Sequence, residues 1–154
     1  MLLLQFQLGK DRYALDSSEV VEVLPLLGIK RIPHAPAGVA GVFNYRGRPV
    51  PAIDLSELAL GRPARLHMST RIVVVRYPGA NAGEHLLGLI AERTTGTVRR
   101  DSAEFADPGV AAGDAPYLGP VASGPEGLVQ WIRVDGLLPE AVRDVLFRQP
   151  EMQP

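Results

Sequence analysis

The sequence predicts an all-β protein: two small five-stranded barrels that share an apolar seam, followed by a short C-terminal helix. Three observations carry this. Fourteen prolines and sixteen glycines cut the 154 residues into segments too short for a helical bundle. Between these breakers lie short apolar and β-branched runs with strand spacing. The chain also repeats itself. Tyr13-Ala14-Leu15 followed by Val20 to Leu24 parallels Leu87-Gly88-Leu89 followed by Thr94 to Val98, and residues 41–58 parallel 119–138. In the second pair each copy has a glycine-rich corner, an apolar strand, and then Asp54-Leu55 or Asp135-Gly136-Leu137. Two copies of one small barrel explain both offsets.

Strands are expected at 2–8, 12–15, 20–25, 39–44, 50–54, 71–76, 85–91, 94–99, 117–122 and 127–134. The run Arg71-Ile72-Val73-Val74-Val75-Arg76 is apolar throughout with a charge at each end, as a strand buried on both faces requires. A helical turn capped by Ser17 or Ser18 is expected at 17–21. A terminal helix is expected at 139–147, because proline suits its first turn and Val142, Val145 and Leu146 share a face. Residues 81–84 read as a hairpin tip and 101–116, rich in Ala, Gly, Asp and Pro, as a surface loop. Residues 149–154 read as a frayed tail. The chain is expected to form one domain over 1–154, with 12–66 in the first barrel and 1–11 with 67–138 in the second.

The most informative stretch is 41–55, G-V-F-N-Y-R-G-R-P-V-P-A-I-D-L. An apolar run, Val39 to Phe43, meets a polar corner at 44–48, and a second β-rich run follows. Two such runs about a glycine that tolerates positive φ form a hairpin or a tight strand connection. Pro49 and Pro51 cannot donate to a ladder, so the second strand is expected at an edge or a bulge. Asn44, Arg46 and Arg48 crowd donors into a corner that no core requires, which suits a partner. Arg46 has two readings. It locks the hairpin by a bidentate bond to a carboxylate such as Asp54 or Glu22, or it is an interface contact. Asn44 is expected to hydrogen-bond its own turn. Glu22 lies on the solvated side of an alternating segment, and Val39, Val42 and Phe43 read as core. Asp54 is expected to cap the turn into Ser56-Glu57-Leu58 or to pair with an arginine.

Composition excludes several activities. Formal net charge is −1 and aromatic content 6%, which provides no electrostatic footprint for nucleic acid. Zero cysteines remove disulfides and thiolate chemistry, in keeping with a reducing cytoplasm. His34, His67 and His85 are scattered and lack metal-ligand spacing, so neither a metal nor a cofactor is expected. No nucleophile elbow, P-loop or dinucleotide fingerprint is present. Met1 to Leu4 lacks a basic n-region, and Gln5 and Gln7 interrupt its apolar run, so no secretory signal is expected. No apolar run approaches the roughly 18 residues of a membrane span. The expectation is a soluble cytoplasmic protein with no small-molecule substrate and no catalytic residue, which works by binding.

The corner carries the pattern G-x-x-N-x-R-G-x-x-x-P-x-x-D-L, through Gly41, Asn44, Arg46, Gly47, Pro51, Asp54 and Leu55. This resembles the CheW-type coupling proteins of bacterial chemosensory arrays. Phe6 to Gly9, Tyr13 to Leu15, Val20 to Val23, Ile32 to Pro36 and Leu87 to Leu89 lie where that family has its supporting segments, so the resemblance runs from about 4 to 138. It implies two SH3/OB-like barrels that exchange strands, and a non-enzymatic adaptor recruited from the cytoplasm to membrane-associated receptor arrays without inserting in the bilayer. The implied partners are the regulatory domain of a CheA-type histidine kinase and the cytoplasmic tip of a methyl-accepting receptor. The implied contact residues are Val20, Glu22, Asn44, Arg46, Gly47, Arg48 and Thr97, with Gly41, Pro51, Asp54 and Leu55 as structural positions. The chain departs from the family pattern at Tyr45, at Glu92 in place of an aspartate, and at Thr94 and Thr97 in place of apolar residues, which points to a divergent receptor. Two alternatives stand beside the adaptor: a receptor-independent paralogue of the kinase regulatory domain that fills array rings, and a small-barrel nucleic-acid binder.

Overall fold

Among the described residues nine strands follow the expected strand segments closely, and two short α-helices accompany them. The computed structural model describes residues 1–26, 28–78, 84–108, 115–125 and 127–147. The strands are β1 Leu2–Leu8, β2 Asp11–Asp16, β3 Val20–Pro25, β4 Val39–Tyr45, β5 Arg48–Asp54, β6 Arg71–Pro78, β7 Glu84–Arg99, β8 Leu118–Gly124 and β9 Gly127–Ile132. The helices are α1 Leu55–Leu60 and α2 Glu140–Leu146. Most of the expected hairpin tip, 81–83, and the tail at 149–154 lie outside the described residues.

The strands form two five-membered sets that share β7. One runs β8-β9-β2-β1 and then the second half of β7; the other runs β4-β5, the first half of β7, β6 and β3. The two orders are the same once the copies are overlaid. β1 corresponds to β6, β2 to the first half of β7, β3 to its second half, β4 to β8 and β5 to β9. The parallel pair β2–β9 accordingly has its counterpart in the parallel pair β5–β7. Each copy therefore lends strands to the other: β3 of the first pairs with β6 of the second, and the second half of β7 pairs with β1. By these pairings β2 sits with β1 and β9, while β6 sits with β3. Neither ladder closes; among the described residues β3 does not pair with β4, nor β8 with β7. A Lys30–Val42 bridge lies along one open edge and an Ala106–Val121 bridge along the other.

The strands expected at 85–91 and 94–99 are one, β7. No turn separates them. Arg93 takes φ 45° and the register to β1 shifts between Gln5 and Gln7, so a bulge bends one strand from the first set into the second. Burial follows the pleat as β6 requires. Ile72 and Val74 face one cluster with Phe43, Val50 and Ile90, while Val73, Val75 and Tyr77 face the seam with Phe6, Leu15, Leu87 and Leu89. A third, smaller cluster holds Leu3, Ala14 and Val129.

Several local expectations change. The turn at 17–19 is a 3₁₀ helix capped by Asp16, whose carboxylate accepts from the Ser18 N–H at 3.0 Å. The turn after Asp54 continues into α1. Val142 and Leu146 of α2 and Phe147 just after it pack against the seam, with the Phe147 ring 5.3 Å from that of Tyr77. Val145 does not share that face and is 63% exposed. Within the expected loop, Asp101 and Glu104 form a capping box around a 3₁₀ turn, and Ala106 pairs with Val121.

Candidate functional site

The corner expected at 44–48 is the β4–β5 hairpin. Tyr45 pairs with Arg48, leaving Arg46 and Gly47 as a two-residue loop with φ of 52° and 82°. Positive φ at both positions makes a type I′ turn, whose twist matches the flanking strands. Gly47 adopts this freely. Arg46 does not, and is held there by its contacts. Asn44 Oδ1 accepts from the Gly47 N–H at 2.7 Å, so Asn44 spends its side chain on the turn.

The hairpin end reaches β3. Glu22 Oε1 accepts from the Tyr45 hydroxyl at 2.9 Å and from Arg46 Nη2 at 2.7 Å. The Arg46 guanidinium also lies over the Tyr45 ring, 5.4 Å from its centroid. The lock anticipated for Arg46 thus forms with Glu22, through one nitrogen, and not with Asp54. Arg46 stays 75% exposed while it does so, and Glu22 33% exposed. Burial of the Tyr45 ring and its bond to Glu22 raise the phenol pKa above its ordinary range, against the opposing charge of Arg46. Arg48 is exposed and makes no ion pair among the described residues. The site is a preformed charged corner, with an exposed guanidinium set beside a buried tyrosine ring.

The other expected residues divide. Val20 is half-buried against the seam on β3, close in sequence to Glu22. Thr97 is exposed on the second half of β7, paired with Leu4 in the other strand set, so the structure does not gather it with Glu22 and Arg46. Val39 and Phe43 are core and Val42 is half-buried. Gly41 is structural: a Cβ there would lie 2.1 Å from the Lys30 carbonyl oxygen, which accepts from Val42. Pro51 stands opposite Val42, where β5 has no neighbour on its far side until Ala52 meets Gly88. Leu55 is buried in the seam.

Asp54 is buried and fully employed. Its Oδ1 accepts from the N–H groups of Ser56 and Glu57 at 3.0 and 3.2 Å, and Oδ2 from that of Ala64 at 2.9 Å. It caps α1 and ties down the chain that follows. Sequence reasoning passed over Tyr45 as a contact and Glu92 as a structural centre. Glu92 is buried, accepts from Ser56 Oγ, and has Arg62 Nη1 at 3.5 Å and His67 Nε2 at 3.7 Å. Ser56 has no exposed surface, so this Ser–Glu–His grouping presents no nucleophile. Among the described residues no three His, Cys, Asp or Glu side chains gather to hold a metal, and no helix is long and apolar enough to cross a membrane.

A family model described as "CheW-like domain" matches residues 2–142. A chemotaxis protein CheW of Helicobacter pylori is 33% identical over 95 residues, 61% of this chain and 54% of that protein. That of Treponema pallidum is 34% identical over 95 residues, 59% of this chain and 53% of that one. The chain thus spans about half the length of these two relatives. Protein FrzA of Myxococcus xanthus is 29% identical over 147 residues, covering 93% of this chain and 88% of its own. The crystal structure of the scaffolding protein TtCheW from Thermoanaerobacter tengcongensis superposes with a TM-score of 0.79 at 24% identity, over 90% of this chain and 87% of that one, a likeness of fold.

Proposed function

The chain belongs to the CheW-like domain family, and from that premise we propose that it is a non-enzymatic adaptor of chemotaxis-type signalling, which couples methyl-accepting receptors to a CheA-type histidine kinase. The observation that carries this reading is the Glu22–Tyr45–Arg46 corner. It is held by two bonds to one carboxylate, yet its arginine remains exposed beside Arg48, which makes no ion pair among the described residues. A preorganised arginine beside an aromatic ring is the composition of an interface anchor, and rigidity reduces the ordering cost of docking.

A scaffold that holds receptor and kinase together raises the effective concentration of one near the other. It passes on receptor state only through contacts that differ between signalling states. Phosphoryl transfer belongs to the kinase in this scheme, and the adaptor needs no cofactor. It is recruited to membrane-associated arrays through its partners.

A pull-down of the regulatory domain of a CheA-type kinase and of a receptor tip, with wild type beside Arg46→Glu, tests the proposal. Capture by the wild type and its loss in a folded variant supports it; capture of neither partner by the wild type overturns it. A second reading, a ring-filling paralogue that binds kinase but not receptor, draws on the exposed, polar Thr97. Kinase captured without receptor selects that reading.

A further inference from the structure

Away from the hairpin, three segments from both strand sets converge on a cleft of about 520 Å³. Lys10 comes from the β1–β2 turn, Arg62, Arg65 and His67 from the α1–β6 connection, and Glu92 and Arg93 from the middle of β7. Arg62 and His67 stand against the buried Glu92 on the floor. Lys10, Arg65 and Arg93 are exposed at the rim and have no ion-pair partner among the described residues. In a chain of net charge −1 this is a concentrated positive surface. Arg93 holds its place at φ 45°, a left-handed conformation costly for a residue with a side chain.

We infer that this cleft is a second docking face, and that it takes an acidic polypeptide segment of a partner protein. Charge complementarity requires an anion. The floor decides which kind. A compact phosphate seated deep in the cleft would face the Glu92 carboxylate, whereas carboxylates spaced along an extended chain reach the rim cations and leave the floor alone. The cleft lining contains no Phe, Tyr or Trp among the described residues, and its one imidazole, that of His67, stands against Glu92, so nucleobases find no broad ring to stack on. The inference does not depend on the kinase–receptor reading, and its test uses neither protein.

The test measures fluorescence anisotropy of a labelled, unstructured Glu/Gly/Ser peptide titrated with the full chain, with amide NMR shifts to map the contact. Saturable binding that weakens with salt is expected, with shifts confined to 7–10, 62–67 and 92–93. The double variant Lys10→Glu/Arg65→Glu should bind about tenfold more weakly. Arg99→Glu, the charge change of either single substitution at an exposed position outside the cleft, should bind as wild type. All three positions are exposed, so folding is not at stake, and a thermal melt checks it. No saturable binding, shifts elsewhere, or weakening by Arg99→Glu equal to that by Arg65→Glu alone overturns the inference. So does displacement of the peptide by inorganic phosphate or single-stranded oligonucleotide at lower concentration than by unlabelled peptide.

Discussion

Glu22 and Arg46 meet at 2.7 Å although the strands that bring them together, β3 and the β4–β5 hairpin, share no backbone ladder. Their contact, with the Tyr45 hydroxyl on the same oxygen, ties the open edge of one strand set. It also fixes the direction in which the arginine faces solvent. Stability and recognition at this corner should therefore respond differently to the same substitutions.

Arg46→Gly separates them. Glycine relieves the positive φ at position 46, worth about 1–2 kcal/mol, against about 0.5–1 kcal/mol of added freedom in the unfolded chain, and removes an exposed ion pair worth about 0–1 kcal/mol. The melting temperature should be unchanged or slightly higher, while kinase capture falls by about tenfold or more. Calorimetry beside a pull-down reads both. A fall in melting temperature with capture intact would make the arginine a purely structural residue.

Gly41→Ala should act on the fold alone. The added methyl meets a backbone oxygen, that of Lys30, at 2.1 Å, so the Lys30–Val42 pair has to open. A loss of about 3 kcal/mol or more is expected in denaturant unfolding.

Asp54→Ala removes the acceptor of three N–H groups, those of Ser56, Glu57 and Ala64. Loss of a helix cap and of a buried charged acceptor together should cost about 2–4 kcal/mol. Asp54→Asn keeps one amide oxygen in place and should recover part of that in the same unfolding measurement.

Alkaline pH should weaken the fold. The phenols of Tyr13, Tyr45, Tyr77 and Tyr117 all have raised pKa values, in each case chiefly through burial. A folded-state pKa above the unfolded value, about 10, means the folded chain keeps protons that the unfolded chain releases. That contribution is whole below about pH 10 and is lost as pH climbs through the folded values. Denaturation midpoints should be set mainly by other groups below that point and fall steeply above it; a flat profile through alkaline pH would count against the burial of these rings.

Much of this was legible in the sequence because it rests on period-2 burial and turn chemistry. β1 and β3 have the bounds read from their residues, and the internal repeat foretold the matching strand orders. What escaped reading depends on distant groups. Nothing near Arg93 in the chain signals a bulge in place of a turn; the opposing register of β1 creates it. The partner of Arg46 was one of two carboxylates until the fold brought β3 within reach. Glu92 looked like a family departure, and only the α1–β6 connection reveals it as the buried carboxylate beside Ser56, Arg62 and His67. Thr97 was grouped with Glu22 by resemblance, and the exchange of strands separates them.

That exchange governs how the chain comes into being. Both strand sets contain part of β7, and each draws on strands from both halves of the sequence. On the ribosome, β1–β2 and β4–β5 can form as isolated hairpins, yet neither set is complete until β7 has emerged, and one must wait further for β8 and β9. Pairings over such sequence separations make folding slow for a chain of this length. The two halves mature together, each serving as the template on which the other is finished.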